Sequence, residues 1–236
     1  MPESPTGTRE LRVFSTLAVM GVLQDLLPAW EQATKGRIAA TYDPTARLLS
    51  CIEAGEVADL AVLTAEAVEG LVAAGTLAAA SRVDLAVSVV GVAVRAGAPR
   101  PDISTPEAFR RTLLSARSIA YSRAGASGIF FAGLIERLGI AAEIGAKATV
   151  IPQGFTAVLA ARGEADLAIQ QVSELMTVPG VDIVGPLPEP LNTRAVFSAA
   201  VFAASPAPAA ATELLRYLEA EATPALLAAK GLLPAK

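Results

Sequence analysis

Histidine is absent from the 236-residue sequence, and cysteine occurs once. The first absence removes Ser-His-Asp and Cys-His hydrolysis, histidine general-base chemistry and nearly every ordinary zinc site. No metal and no cofactor is expected. The second excludes an internal disulfide, and Cys51, on an apolar helical face, is expected as a buried, inert thiol. Basic residues are not in excess: the net charge is −4, so a phosphate backbone would go unneutralised and nucleic acid is not an expected partner. No apolar stretch is long enough to span a bilayer without Gly, Pro or charge interrupting it. The polar residues Met1 to Glu10 lack the basic-then-apolar order of a secretory signal. The chain as written is therefore expected in the cytoplasm, or in the periplasm if a signal segment was removed.

What is abundant is core-forming. Hydrophobic residues make up 53% of the chain, mostly Ala, Leu and Val, against 18% charged. They are arranged in one recurring pattern: a short β-rich run, a small polar residue, then an amphipathic helix. That order predicts parallel strands with crossover helices. Leu11 to Phe14 reads as the first strand, with a helix from Ser15 or Thr16 that buries Val19, Val22, Leu23, Leu26, Leu27 and Trp30. Gly36 stands where that helix would need a left-handed stop. Further strands are expected at Arg37–Tyr42, Ala58–Leu63, Ser118–Ser122, Ala148–Ile151, Asp166–Ile169 and Asp182–Val184. Thr64 fits a capping residue, and Ser104, Pro106 and Glu107 resemble a capping box. Arg123 to Gly128 reads as a tight loop.

Two longer apolar runs, Val83–Val94 and Arg194–Ala203, read as strands crossing between lobes. The expected fold is therefore two-lobed α/β with a two-strand hinge. Lobe one spans 11–86 plus 197–236, lobe two spans 87–196, and 1–10 is a polar tail.

In open parallel sheets, ligands bind beyond the carboxyl ends of strands, where helix N-termini offer unpaired N–H groups. Here those ends carry Ser15, Thr16, Thr45, Thr64, Ser122, Ser127, Gln153, Gln170 and Gln171. Each can donate a hydrogen bond without bearing a charge. Ser and Thr at such places also serve as ordinary caps; Gln at strand ends is not a capping preference. Arg47, near Thr45, and Arg123, after Ser122, could each fork onto a carboxylate or lie solvated on the surface. The pattern points to a small anion in an inter-lobe cleft, with a di- or tricarboxylate preferred over a bare oxyanion.

Three stretches carry a resemblance: Leu11–Thr16, "LLSCIEAGEVADLAVLTAEAVEGLVAAG" from Leu48 to Gly75, and "VLAARGEADLAI" from Val158 to Ile169. With their Gly-Glu and Ala-Asp repeats they resemble the type 2 periplasmic binding proteins, most of all the molybdate-binding group, over Leu11 to about Pro234. The resemblance implies two α/β lobes and an oxyanion held by Ser, Thr and backbone N–H groups. By position it implies ligand contacts at Ser15, Thr45, Ala126 or its neighbours, and Gln153. The family's tyrosine donor falls at Gln171, a departure that weighs against molybdate itself. The same broad family also resembles aconitate isomerase, an enzyme on this fold that moves a double bond in a tricarboxylate.

Two functions follow. A binding protein needs only donors and a closing hinge; it would be a monomer or weak dimer, meeting transporter subunits only if exported. An isomerase moving an allylic proton needs a base near the substrate carbon. Without histidine, the base would be Glu174, Tyr42, Tyr121 or an activated Ser15, while Glu174 also fits a helix-stabilising acid in a first turn. A regulator's effector domain would carry a DNA-binding segment ahead of the first strand, and only about ten residues precede it here.

Overall fold

In the computed structural model, which describes residues 10–235, the apolar runs form strands and the amphipathic stretches after them form helices. Positions 1–9 of the expected tail, and Lys236 at the end of lobe one, lie outside the described residues. Glu10 already begins the first strand.

Strand β1 (Glu10–Ser15) lies between β2 (Arg37–Tyr42) and β3 (Leu60–Thr64), parallel to both. A 3-10 turn at Leu17–Val19 runs into α1 (Met20–Thr34), while α2 (Thr45–Glu53) links β2 to β3 and α3 (Ala65–Ala73) follows β3. The chain then enters β4 (Val83–Arg95), a strand of 13 residues. Its first half, from Val83 to Val89, pairs antiparallel with β9 (Arg194–Val201). Its second half pairs antiparallel with β7 (Leu167–Gln171) and β8 (Val181–Pro186). One strand therefore serves both halves of the molecule.

The second half adds α4 (Pro106–Ser115), β5 (Ile119–Ser122), α5 (Ala126–Arg137), α6 (Ala141–Gly145), β6 (Ala148–Ile151), α7 (Ala157–Ala161) and α8 (Val172–Met176). Here β5 is parallel to both β6 and β7. Helices α9 (Pro208–Glu221) and α10 (Pro224–Ala229) return to the first half. The strand order is β2-β1-β3-β9-β4-β7-β5-β6, with β8 on β4. Parallel pairs form the flanks, and the antiparallel pairs gather where the chain crosses over and back.

Strand alternation gives each half an apolar layer on both faces of its sheet. In the first half, Leu11, Val13 and Val62 pack with Leu23 and Trp30 of α1 and Leu214 of α9, while Phe14, Leu63 and Phe202 face the other way. In the second, Val92 and Ile169 meet Phe109 and Phe131, while Ala93 and Ala168 meet Ala157, Ala160 and Leu175. Burying one such large side chain stabilises the fold by roughly 1.5–3 kcal/mol.

Four local expectations are corrected. The left-handed stop of α1 is Lys35, at φ 59°, and not Gly36. Gly36 is needed for space, because a Cβ there would strike the Trp30 ring. The cap of α4 is Thr105, whose Oγ1 accepts from Ala108 N at 3.1 Å; Ser104 instead bonds Asp102. The expected loop at 123–128 shortens, since α5 already begins at Ala126. Cys51 is only partly buried, on the rim of the first half's outer layer.

Candidate functional site

The carboxyl ends of β1, β2, β5 and β7 and the helices that start there surround a narrow, nearly closed cavity of about 10 Å³. From the first half it is lined by Thr16, Leu17, Ala18, Pro44, Thr45 and Phe197. From the second come Ser122, Gly125, Ala126, Gln153, Gly154, Gln170, Gln171 and Glu174. Wider surface hollows lie beside Arg117 and Asp166 and beside Asn192 and Leu233, and neither is lined by a buried polar atom lacking a partner.

The narrow cavity is different. Among the described residues, five buried side-chain atoms have no hydrogen-bond partner: Thr45 Oγ1, Ser122 Oγ, Ser127 Oγ, Gln171 Oε1 and Glu174 Oε2. Four of these residues line this cavity. The fifth is beside it: Ser122 Oγ and Ser127 Oγ lie 2.7 and 3.9 Å from where a Gly125 Cβ would sit. Each such atom costs about 1–3 kcal/mol when left dry and unpaired. Their concentration at one place marks a site built for a bound group.

The helix starts say the same. Thr105 and Thr223, away from the cavity, do cap α4 and α10 with side-chain bonds. Around the cavity, Pro44 stands at the N-cap of α2 and Gly125 at that of α5, and neither helix has a side-chain cap. Beyond Arg47 N and Gly128 N, which donate to Pro44 O and Gly125 O, the N–H groups at these two helix starts face the cavity side, and the nearby hydroxyls are not spent on capping. Glycine makes this close assembly possible. A Cβ on Gly128 would collide with the Ser122 carbonyl, so only glycine lets the start of α5 lie against the end of β5.

The second-half wall is fixed by Gln170. Its Oε1 accepts from Thr156 N at 2.8 Å and Thr156 Oγ1 at 3.0 Å, and its Nε2 donates to Gly154 O at 2.9 Å. This ties the Gln153–Gly154 loop to β7. Behind α8, Ser173 Oγ lies 3.3 Å from Ser88 Oγ of the crossing strand β4.

Glu174 is the one ionisable side chain that lines the cavity. It is 6% exposed, and burial pushes its carboxyl up to about 7, against the weaker opposing pull of the Gln171 backbone N–H and the Gln170 side chain. No charged neighbour contributes to that shift.

Of the residues expected at the site, Thr16, Thr45, Ser122, Ala126, Gln153 and Gln171 line the cavity, and Ser127 is buried beside it. Ser15 is fully buried and donates to Thr16 O at 3.0 Å, so its hydroxyl is turned into its own chain. Thr64 starts α3 outside the lining. Arg47 and Arg123 are exposed and do not line the cavity. Tyr42 packs on the first core with its phenol raised by burial, and the Tyr121 ring stacks edgewise on Phe131 at 5.2 Å. Of the four candidate bases, Glu174 alone lines the cavity. Sequence reasoning missed Pro44, Leu17, Ala18, Gly154 and Phe197. Pro44 had a signal, standing one residue before Thr45; Phe197 had none, being brought in by the return strand.

Among the described residues, no cluster of three or more His, Cys, Asp or Glu could hold a metal, and no helix is long and apolar enough to cross a membrane. Two half-sheets sharing a crossing strand enclose between them a cavity lined by hydroxyl and amide side chains and by Glu174. Residues 11–233 match the family of bacterial extracellular solute-binding proteins, and the chain belongs to it. An aconitate isomerase of a Pseudomonas species is 39% identical over 230 residues, covering 95% of this chain and 87% of that protein. In fold the chain is similar to a periplasmic molybdate-binding protein of Azotobacter vinelandii (TM-score 0.78, 18% identity, 96% of this chain and 100% of the other). It is also similar to a sulfate-binding protein of Mycobacterium tuberculosis (TM-score 0.71, 21% identity, 96% and 87% covered).

Proposed function

We propose that the cleft binds a small unsaturated di- or tricarboxylate and shifts its double bond by allylic proton transfer, with Glu174 as the base. The observation behind this reading is the buried, unpaired Glu174 Oε2 at the cavity wall. A site meant only to hold an anion gains nothing from an ionised carboxylate there. Proton transfer does need one, and a base serves best when it titrates near the working pH, as this carboxyl does at about 7. Thr45, Ser122, Ser127 and the starts of α2 and α5 would hold the substrate carboxylates and the charge that spreads onto them as the C–H bond breaks. Glu174 takes the proton from the methylene carbon and returns it to the far carbon of the allylic system. The double bond moves, and nothing is lost or gained. The 39% identity to an aconitate isomerase supports this choice of substrate class. In this reading lobes 11–86 with 197–236 and 87–196 close on the ligand about β4 and β9.

A second reading, binding without turnover, is favoured by the hydroxyl-rich lining. Incubation with trans-aconitate, followed by ultraviolet absorbance and proton NMR, separates the two. The isomerase reading predicts conversion by the wild type and a loss of about 10²–10⁴-fold in Glu174→Gln, with the anion still bound. No conversion over hours at high protein concentration leaves the binding reading in place.

A further inference from the structure

The cavity has a charge problem that its geometry resolves in one way. No Lys or Arg lines it, and its one ionisable side chain, Glu174, is an acid. An ionised Glu174 would place a negative charge against the incoming anion with no cation between them. Toward an anion, the unpartnered groups must all donate. The hydroxyls of Thr45, Ser122 and Ser127 do so by rotating, and the Gln171 amide by turning over. Glu174 Oε2 donates only when it bears a proton.

We infer that the cleft takes up its anion together with one proton, held between Glu174 Oε2 and the ligand. The inference rests on the anion-cleft reading above and adds to it the protonation state of the complex. When the shared proton sits on a ligand carboxylate, that carboxyl becomes a better electron sink and Glu174 is free to act as base. The proton taken up on binding then stays on the ligand carboxyl, and the proton that Glu174 carries between carbons is the substrate's own.

The surroundings offer no other candidate. The charged groups on elements packed against α8 are engaged elsewhere or distant in role. Asp84 of β4 pairs with Arg82, Asp182 of β8 with Arg100, and Asp25 of α1 with Lys230 of the C-terminal turn. Glu31 of α1 accepts from Ile38 N, and Arg95 is exposed at the far end of β4. None of them lines the cavity or moves Glu174.

The test is calorimetric titration of the full chain with sulfate, which does not itself titrate in the window used, and with the saturated analogue tricarballylate above about pH 7.5, where its carboxyls are ionised. Runs in two buffers of different ionisation heat count the protons. Close to one proton taken up per anion at about pH 8, falling toward none below about pH 6, is expected, with affinity weakening about tenfold per unit above 7. Glu174→Gln should bind with no pH dependence and at least about tenfold more tightly than wild type at about pH 8. Uptake of no proton by the wild type, a slope that survives in Glu174→Gln, or no binding of either anion at any pH overturns the proposal. The proton count needs only the wild type, so it stands even if the variant does not fold. Failure of the isomerase reading shows separately, as coupled binding of the anions without conversion of trans-aconitate.

Discussion

At the residue scale, neighbours in sequence part company because side-chain direction is periodic. Thr16 lines the cavity, and Ser15 before it points into the chain. Arg123 follows Ser122 directly off a strand, and successive side chains on a strand take opposite faces. Arg47 is two positions past Thr45 on α2, and residues two apart on a helix do not share a face. The donor row was therefore legible as a set of strand ends, while the arginines needed the phase of each element. Glu174 was legible only as a candidate, because burial cannot be read from a first-turn acid. Its raised carboxyl makes a stability prediction. The folded state holds this proton more tightly than the unfolded chain, so the contribution is full below the ordinary carboxylate range and is lost as pH rises through about 7. Without anion, Glu174→Gln should match the wild type near pH 4 and exceed it by up to about 3 kcal/mol at about pH 8, measured by urea unfolding. A difference that stays constant with pH would contradict this origin.

At the element scale, helices and strands were readable from apolar spacing, and their contacts were not. The start of α5 shows why. Small residues at 123–128 suggested a loop, yet Gly128 sits inside a helix because its missing side chain lets that helix touch Ser122. Gly128→Ala should cost at least about 2 kcal/mol and abolish anion binding, since the helix must withdraw from β5. Gly133→Ala, on the same helix, is the control. Its Cβ would meet only Arg137 Nη1, at 3.5 Å, so it should hold or gain about 0.5–1 kcal/mol with binding intact. Unfolding midpoints and sulfate titrations of both variants decide the matter; a stable, binding Gly128→Ala would remove the close approach from the account.

At the scale of the whole molecule, the halves were visible in the two long apolar runs, which became β4 and β9. The repeats behind the family resemblance turn out to be structural. Asp59 accepts Arg12 N at 2.8 Å and Ser205 Oγ at 2.6 Å; Asp166 accepts Arg117 N at 2.9 Å and donates its own N–H to Ser118 Oγ at 2.9 Å. Each aspartate fastens the start of a neighbouring parallel strand in its own half, far from the strand ends that form the cavity. The motif thus reported the scaffold faithfully and was silent on the ligand. What it could not supply is the meeting of Thr16 and Thr45 with Ser122 and Glu174 across the two halves.

The central claim is that these groups hold one anion together. Its most direct measurement is a crystal structure of the chain grown with tricarballylate. The account predicts a single ligand whose carboxylates touch Thr45, Ser122 and Ser127 at once, with Glu174 Oε2 within hydrogen-bond distance. A ligand seated instead at the Asn192 groove or beside Arg117, with the inner cavity still dry, would contradict it.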